Sequence, residues 1–126
     1  MPDEILEVYE KEEEISKLTE RLANFSFNDL KKTDHFYYSI DEKGTDISIL
    51  EKNFRNFDKI KLAVKRKHKN GKTSYDFYYE LEDGTYLAYA IALENFPRLL
   101  NGFKVNRNFR HFKKSLLKAY RKQLIG

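Results

Sequence analysis

The chain has 126 residues, which is enough for one domain with a buried core and too short for two. Hydrophobic residues make up 40% of it and charged residues 35%, which excludes a disordered chain and predicts a heavily charged surface. It has no cysteine, so disulfides, cysteine nucleophiles and cysteine metal sites are excluded. No apolar run is long enough to span a bilayer and the acidic start is unlike a signal peptide, which predicts a soluble, cytoplasmic protein.

Charge is distributed unevenly along the chain, although the formal net charge is only +4. Residues 1–14 carry seven acids against Lys11 alone, whereas residues 104–126 carry eight cations and no acid. Two interpretations are open. The two ends neutralise each other across the fold, or the basic end forms a face that binds a polyanion.

The first half of the chain predicts two helices and a strand. Residues 3–23 have apolar side chains on roughly one stripe, with Pro2 and Asp3 as a helix start, and predict an acidic helix. Residues 35–40 are aromatic and rich in β-formers, which predicts a strand. Residues 46–57 have one apolar face and predict a second helix.

The centre of the chain predicts a β-hairpin at Asn70-Gly71, which is a strong signal for a two-residue turn. Such a turn pairs residues 60–69 with residues 72–81. The paired side chains are then apolar on one face and oppositely charged on the other. The apolar pairs are Val64 with Phe77, Leu62 with Tyr79 and Ile60 with Leu81, and the charged pairs are Lys61 with Glu80 and Lys65 with Asp76.

A second turn at Asp83-Gly84 leads into a third strand over residues 85–93. The same turn geometry places Tyr86 beside Leu81. This third strand is apolar on both sides, which is typical of an interior strand covered on both faces. We expect residues 35–40 to be its further neighbour.

The C-terminal part predicts a short helical turn over residues 96–100 and then a long amphipathic helix. Asn106 or Asn108 caps this helix, which ends near Leu124 and has a basic outer face. The predicted fold class is therefore α+β, an antiparallel β-meander of three to four strands packed with an N-terminal helix, a middle helix and the basic C-terminal helix. The single domain comprises residues 1–126, with the acidic helix at 1–23, the sheet and its inserted helix at 34–93, and the basic helix at 106–124.

The predicted hairpin tip is the first candidate for chemistry. Arg66 and His68 continue the core-facing alternation beyond the last apolar residue, and five cations surround the imidazole. Cations on a projecting ribbon suit phosphate contacts, and an ionisable imidazole among them suits proton transfer. The alternative is a solvated hairpin whose lysines protect a sheet edge. The five cations are Lys65, Arg66, Lys67, Lys69 and Lys72.

The outer face of the final helix is the second candidate. Its cations recur every three or four residues, and they are Arg107, Arg110, Lys114, Lys118 and Arg121. A stripe of this kind binds a polyanion with counterion release, although an ordinary amphipathic helix and a membrane-surface helix are alternatives. The three histidines lack metal-ligand spacing, so we expect no metal and no cofactor. A small-molecule pocket lined by Tyr78, Tyr89 and Phe112 is a further alternative.

Three segments carry a resemblance to a known superfamily. They are Asp34-His35-Phe36 followed by Lys43-Gly44-Thr45-Asp46-Ile47, then Gly71-Lys72-Thr73-Ser74-Tyr75, and Asn95-Phe96-Pro97-Arg98-Leu99-Leu100-Asn101-Gly102. Residues 34–102 thereby resemble the small ribonuclease toxins, a group that includes RelE- and BrnT-type toxins, colicin D-type tRNases and phage-associated relatives. Arg98 stands where the phage relatives have histidine.

The resemblance implies metal-independent RNA cleavage, in which a ribose 2′-hydroxyl attacks the adjacent phosphate. His68 or Tyr75 would transfer the proton, and Lys65, Arg66 and Arg110 would stabilise the developing charge. Tyr120 would stack on a base. The further nucleic-acid-binding residues would be Lys67, Lys69, Lys72, Arg107, Lys114, Lys118 and Arg121.

The sequence thus predicts a nucleic-acid-directed protein, with RNA favoured over DNA and ribonuclease activity as an extension. The alternative is a protein–protein interaction or a homodimer without catalytic activity, in which the acidic N-terminal helix of one chain binds the basic C-terminal helix of another. An electrostatic dimer of that kind would dissociate at high salt.

Overall fold

The computed structural model describes residues 4–125, and Pro2 and Asp3, the predicted helix start, lie outside this range. The fold class α+β is confirmed, with six β-strands and four α-helices in the described part of the chain. In chain order these are β1 (Glu4–Tyr9), α1 (Glu12–Thr19), β2 (Lys31–Lys32), α2 (Asp34–Lys43), α3 (Ile47–Asn53), β3 (Ile60–Lys67), β4 (Thr73–Glu80), β5 (Tyr86–Ala92), β6 (Arg98–Val105) and α4 (Phe109–Ile125).

All six strands form one sheet in the order β1-β3-β4-β5-β6-β2. The expected antiparallel meander is present as β3 to β6, and β1 adds a further antiparallel strand at one edge. The two-residue β2 pairs with β6 in parallel at the other edge, so the sheet is mixed. The sheet therefore extends well beyond the predicted range of residues 34–93.

The N-terminal helix predicted over residues 3–23 is wrong. Residues 4–9 form β1 instead, and the helix α1 begins only at Glu12. Ile5, Val8 and Tyr9 are β-branched or aromatic and suit a strand, and the open edge of β3 supplies backbone partners for them. The secondary structure of residues 4–9 is therefore determined by pairing with a strand more than fifty residues away in the chain.

The strand predicted over residues 35–40 is also wrong, because these residues lie in α2. The Thr33 hydroxyl accepts a hydrogen bond from Phe36 N (3.1 Å) and caps this helix. The neighbour of β5 is β6, which replaces the short helix predicted over residues 96–100. The prediction that β5 is an interior strand is confirmed, although its partner differs.

Both hairpins turn through three-residue loops and not through the predicted two-residue turns. His68 O accepts from Gly71 N (2.9 Å), and His68 N donates to Lys72 O (2.8 Å). Gly71 has a φ of +83° and Gly84 has +86°, which places each glycine at the left-handed last position of a loop. The loops are Lys69-Asn70-Gly71 and Glu82-Asp83-Gly84.

The extra loop residue shifts both predicted registers by one, so the predicted cross-strand pairs are wrong. Val64 lies opposite Asp76 rather than Phe77, and Lys65 lies opposite Tyr75. A shift of one residue moves every side chain to the other face. The other observed pairs that replace predicted ones are Leu62 with Tyr78, Ile60 with Tyr79 and Tyr86 with Glu80.

The sheet is covered on both faces. The helices α1, α2 and α3 pack on one face around a core that includes Phe36, Leu50 and Phe54. On the other face α4 packs through Phe109 and Leu116. The predicted cap is confirmed at Asn108, whose Oδ1 accepts from His111 N (3.2 Å).

The end of α4 also covers the outer edge of β1. The Gln123 side chain donates from Nε2 to Ile5 O (2.6 Å) and accepts from Ile5 N at Oε1 (3.3 Å). The Tyr120 hydroxyl donates to Leu6 O (3.4 Å). The Gln123 amide thus occupies backbone groups of the edge strand that could otherwise pair with another chain.

We expect Gly84→Ala to lower the free energy of unfolding by about 1–2 kcal/mol, because alanine is strained at a positive φ. Urea unfolding followed by circular dichroism measures this loss. Gly84→Asn is the matched control and should lose less, because asparagine tolerates the left-handed conformation. Equal stability of wild type and Gly84→Ala would contradict the three-residue loop.

Candidate functional site

The face of the sheet that carries α4 is organised in three cross-strand rows. The aromatic row is Leu62, Tyr78, Ala88 and Phe103. The alanine row is Val64, Asp76, Ala90 and Asn101. The arginine row is Arg66, Ser74, Ala92 and Arg98, since Arg66 pairs with Ser74 and Ala92 pairs with Arg98.

The helix α4 covers only the end of this face that carries large side chains. Phe112 packs against Tyr78 and Tyr86, with 4.8 Å between ring centroids in each pair. Beyond Tyr78 the β5 residues on this face are alanines, and among the described residues none of α4 lines the space above them. A concave groove of about 990 Å³ results. Its lining includes Arg66, His68, Lys72, Ser74, Asp76, Ala88, Ala90, Ala92, Glu94, Arg98 and Asn101.

An ion pair lies at one end of the groove. Arg66 Nε donates to Asp76 Oδ2, and the Tyr78 hydroxyl donates to the same oxygen (3.3 Å). Burial raises the pKa of the Asp76 carboxyl above its usual range, and the nearby Arg66 guanidinium opposes this rise without cancelling it. Burial by itself would lower the pKa of Arg66, but Asp76 and Tyr78 raise it, so the guanidinium stays charged.

His68 lies beside this ion pair at the mouth of the groove. Its Nε2 is 2.7 Å from the hydroxyl oxygen of Ser74, which is almost fully buried. The backbone of His68 closes the three-residue loop, which fixes the point from which the imidazole extends to Ser74. An imidazole and a guanidinium therefore line one wall of an accessible groove.

The structure brings together only part of the predicted catalytic set. Arg66 and His68 lie together in the groove, whereas the Tyr75 ring lies on the opposite face and packs against Phe77 and Tyr9. Lys65 lies beside Tyr75, with its Nζ 5.9 Å from the ring centroid. Lys65 is therefore not among the residues that line the groove, and Tyr75 borders the groove but directs its ring to the other face.

Arg110 is distant from the groove along α4. It borders a smaller pocket of about 570 Å³ between α1 and α4, with Glu10 and Lys113 among its neighbours. Lys113 Nζ lies 3.1 Å from Glu10 Oε1. This ion pair joins the acidic N-terminal segment to the basic helix within one chain.

The predicted nucleic-acid-binding residues lie in two places. Lys67, Lys69 and Lys72 are exposed around the first hairpin loop, and Lys72 also lines the groove. Tyr120 is half-buried against β1, which leaves little of its ring for stacking. The remaining cations are exposed on α4 or just before it, and they are Arg107, Lys114, Lys118 and Arg121.

Several groove residues were not predicted from the sequence, namely Ser74, Arg98, Asn101 and the alanines. A signal existed for the alanines, because Ala88, Ala90 and Ala92 alternate along one face of β5 and cannot fill the space above it. Of the three residues of the alternative pocket, Tyr78 and Tyr89 border the groove, and Phe112 is not among its lining residues. Tyr89 lies on the opposite face of the sheet and donates to Leu50 O (2.6 Å).

Comparison with known proteins gives no relative, since no family model, no curated protein and no solved structure matches this chain. Among residues 4–125 there is no group of three or more histidine or acidic side chains placed to hold a metal ion. Over the same residues, none of the helices combines the length and the apolar character that crossing a bilayer needs.

We expect the ionisation of Asp76 to destabilise the fold as pH rises. Because the folded state raises the pKa of Asp76, its contribution to stability is fully present below the ordinary value of 3.8 and is lost as pH rises through the folded value. Wild type should therefore lose unfolding free energy relative to Asp76→Asn over that window. Urea unfolding of both proteins from pH 3 to about pH 7 measures the difference.

Asp83→Asn provides a control of opposite sign. Hydrogen bonds from the Thr85 hydroxyl and backbone N–H lower the pKa of Asp83. Wild type should therefore lose stability relative to Asp83→Asn as pH falls through that lowered value. If wild type instead keeps or gains unfolding free energy relative to Asp76→Asn as pH rises, the charge of Arg66 outweighs burial at Asp76.

Proposed function

We propose that this chain binds single-stranded RNA in the groove beside α4. The observation that carries this proposal is the groove itself, an open concave surface with cations on its walls and small side chains on its floor. Arg66 and Arg98 stand at its two sides, three strand spacings or roughly 14 Å apart. Lys72 and His68 lie at its mouth.

The chemistry of the lining fits an unpaired nucleic-acid strand. Guanidinium and ammonium groups bind phosphates, whereas the alanine floor offers apolar contact to the face of a base that is not stacked in a duplex. Tyr78 and Phe103 line the end of the groove next to α4, and the rest of the β5 floor is alanine, so phosphate contacts would supply most of the affinity. Binding should then weaken steeply with salt.

The hairpin loop extends this positive surface. Lys67 and Lys69 are exposed beside the groove, and no acid lies between residues 59 and 75. The positive charges at the two sides of the groove are partly neutralised, because Asp76 pairs with Arg66 and Glu94 pairs with Arg98. Neutralised arginines still donate hydrogen bonds, which favours positioned contacts over diffuse attraction.

A second candidate function is metal-independent cleavage of the bound RNA, which also follows the toxin resemblance. The observation that favours it is the placement of His68 and Arg66 on one wall of the groove. In this reaction His68 takes the proton of a ribose 2′-hydroxyl, whose oxygen forms a bond to the adjacent phosphorus. Arg66 stabilises the charge on the phosphoryl oxygens. The bond from phosphorus to the 5′-oxygen breaks, that oxygen takes a proton from water, the resulting hydroxide takes the proton held by His68, and a 2′,3′-cyclic phosphate remains.

Ala90→Phe tests the binding site without changing charge, because it places a large ring on the groove floor. We expect the affinity for a fluorescent single-stranded RNA to fall about tenfold or more, since lost phosphate hydrogen bonds are worth about 1.5–3 kcal/mol each. Fluorescence anisotropy at several salt concentrations measures this change. Ala23→Phe is the matched control, since Ala23 is exposed on the side of α1 to α3.

Unchanged affinity in Ala90→Phe, with a thermal midpoint near that of wild type, would place RNA binding outside the groove. The exposed cations of the hairpin loop and of α4 would then be the remaining surfaces. Lys67→Gln/Lys69→Gln and Lys114→Gln/Lys118→Gln distinguish these two surfaces. Absence of binding by wild type at low salt would reject the proposed function.

His68→Gln tests the cleavage reaction. If His68 is the base, a denaturing gel of single-stranded RNA in EDTA should show cleavage by wild type and about a hundredfold slower cleavage by the variant. His111→Gln is the matched control, because His111 is exposed on α4. Intact RNA after incubation with wild type would reject the ribonuclease and leave the binding proposal standing.

A further inference from the structure

The far wall of the groove contains an unsatisfied donor. Among residues 4–125, Arg98 Nε is the only buried side-chain nitrogen or oxygen that lacks a hydrogen-bond partner. A buried donor without an acceptor costs about 1–3 kcal/mol, so native proteins rarely leave one unmatched. Nε is closed to water in this conformation, but the Arg98 side chain as a whole is 30% exposed on the groove, so a turn of the side chain would bring Nε to a ligand oxygen.

The surroundings of Arg98 hold its side chain in place. Arg98 Nη2 donates to Glu94 Oε1 (3.1 Å), and Glu94 lies four residues earlier in the β5–β6 connection. Glu94 is half-exposed, at 52%, so water screens its charge. The carboxylate that pairs with Arg66 is only 17% exposed and also binds Tyr78. Of the two arginines in the arginine row, Arg98 is therefore the less compensated.

We propose that Arg98 forms a phosphate subsite of the groove. The partly exposed guanidinium donates to a phosphate oxygen of the bound strand, and a turn of the side chain brings the Nε–H into reach of that oxygen, while Glu94 accepts from Nη2. A planar guanidinium matches an oxyanion through two parallel donors, which an ammonium cannot reproduce. This subsite rests on the proposed binding of RNA, and it fixes where one phosphate lies relative to His68 across the arginine row.

The test uses the full chain labelled with ¹⁵N and follows the arginine Nε–Hε signals. Arg98→Lys identifies the Arg98 signal by its loss. Inorganic phosphate, uridine 5′-monophosphate and a single-stranded RNA are then titrated separately. We expect the Arg98 signal to shift saturably with each probe, with the RNA saturating at the lowest concentration because its neighbouring phosphates contact the other cations.

Affinity measurements on variants provide the second readout. Arg98→Gln should weaken RNA binding about tenfold, which corresponds to one charged hydrogen bond. Arg98→Lys should recover only a minor part of that loss, because charge alone is insufficient. Lys52→Gln removes one exposed charge on α3, across the sheet, and should change the affinity by no more than about twofold.

The outcomes separate this subsite from the proposed function. RNA binding by wild type with equal affinities for Arg98→Gln and Lys52→Gln, and with no shift of the Arg98 signal, overturns the subsite and leaves RNA binding intact. A saturable shift with phosphate and the mononucleotide, without any RNA binding, supports the subsite and overturns RNA as its ligand. No shift with any probe overturns the subsite whatever the variants do.

Discussion

The three-residue loops at Gly71 and Gly84 decide which side chains share a face of the sheet. Each loop ends with a glycine in the left-handed conformation, which fixes a register one residue away from that of a two-residue turn. In this register Asp76 lies on the same face as Arg66, and both lie on the α4 side. With the other register the buried carboxylate would face Lys65, and neither the ion pair nor the groove wall would exist.

Side-chain size then determines how far α4 covers its face. The aromatic cluster of Tyr78, Tyr86, Phe109 and Phe112 fills the space between helix and sheet at one end. Alanines on β5 leave the other end shallow, and the polar side chains there gain no apolar cover. Alternate residues of the same strands therefore form a packed core at one end of this face and an accessible groove at the other end. Because the groove opens to water, it does not carry the cost of an internal void.

Local sequence patterns predicted the elements whose partners lie nearby in the chain. The strands β3 to β5, the interior position of β5 and the cap at Asn108 all follow from short-range signals. The strand β1 did not, because residues 4–9 depend on a distant edge strand. Residues 35–40 have β-forming side chains, yet the Thr33 cap and the packing of Phe36 in the core favour a helix. The groove draws its lining from four strands, so an error of one residue in register was enough to hide it. Arg98 was not expected in the groove for a second reason, because the sequence pattern predicts a helical turn over residues 96–100.

The groove is an open part of the α4 face of the sheet. One face is filled by α1, α2 and α3, and half of the other is filled by α4. The outer edge of β1 is closed at Ile5 by the Gln123 amide, and the opposite edge strand, β2, has only two residues. Strand addition is therefore obstructed at Ile5 on one edge, and on the other edge β2 pairs with only Arg98 and Leu99 of β6. A ligand in the groove meets side chains, and the described lining includes two imidazoles, the guanidinium groups of Arg66 and Arg98, and the alanines of β5. That combination favours a ligand with phosphates and flat apolar faces over a peptide that adds a strand.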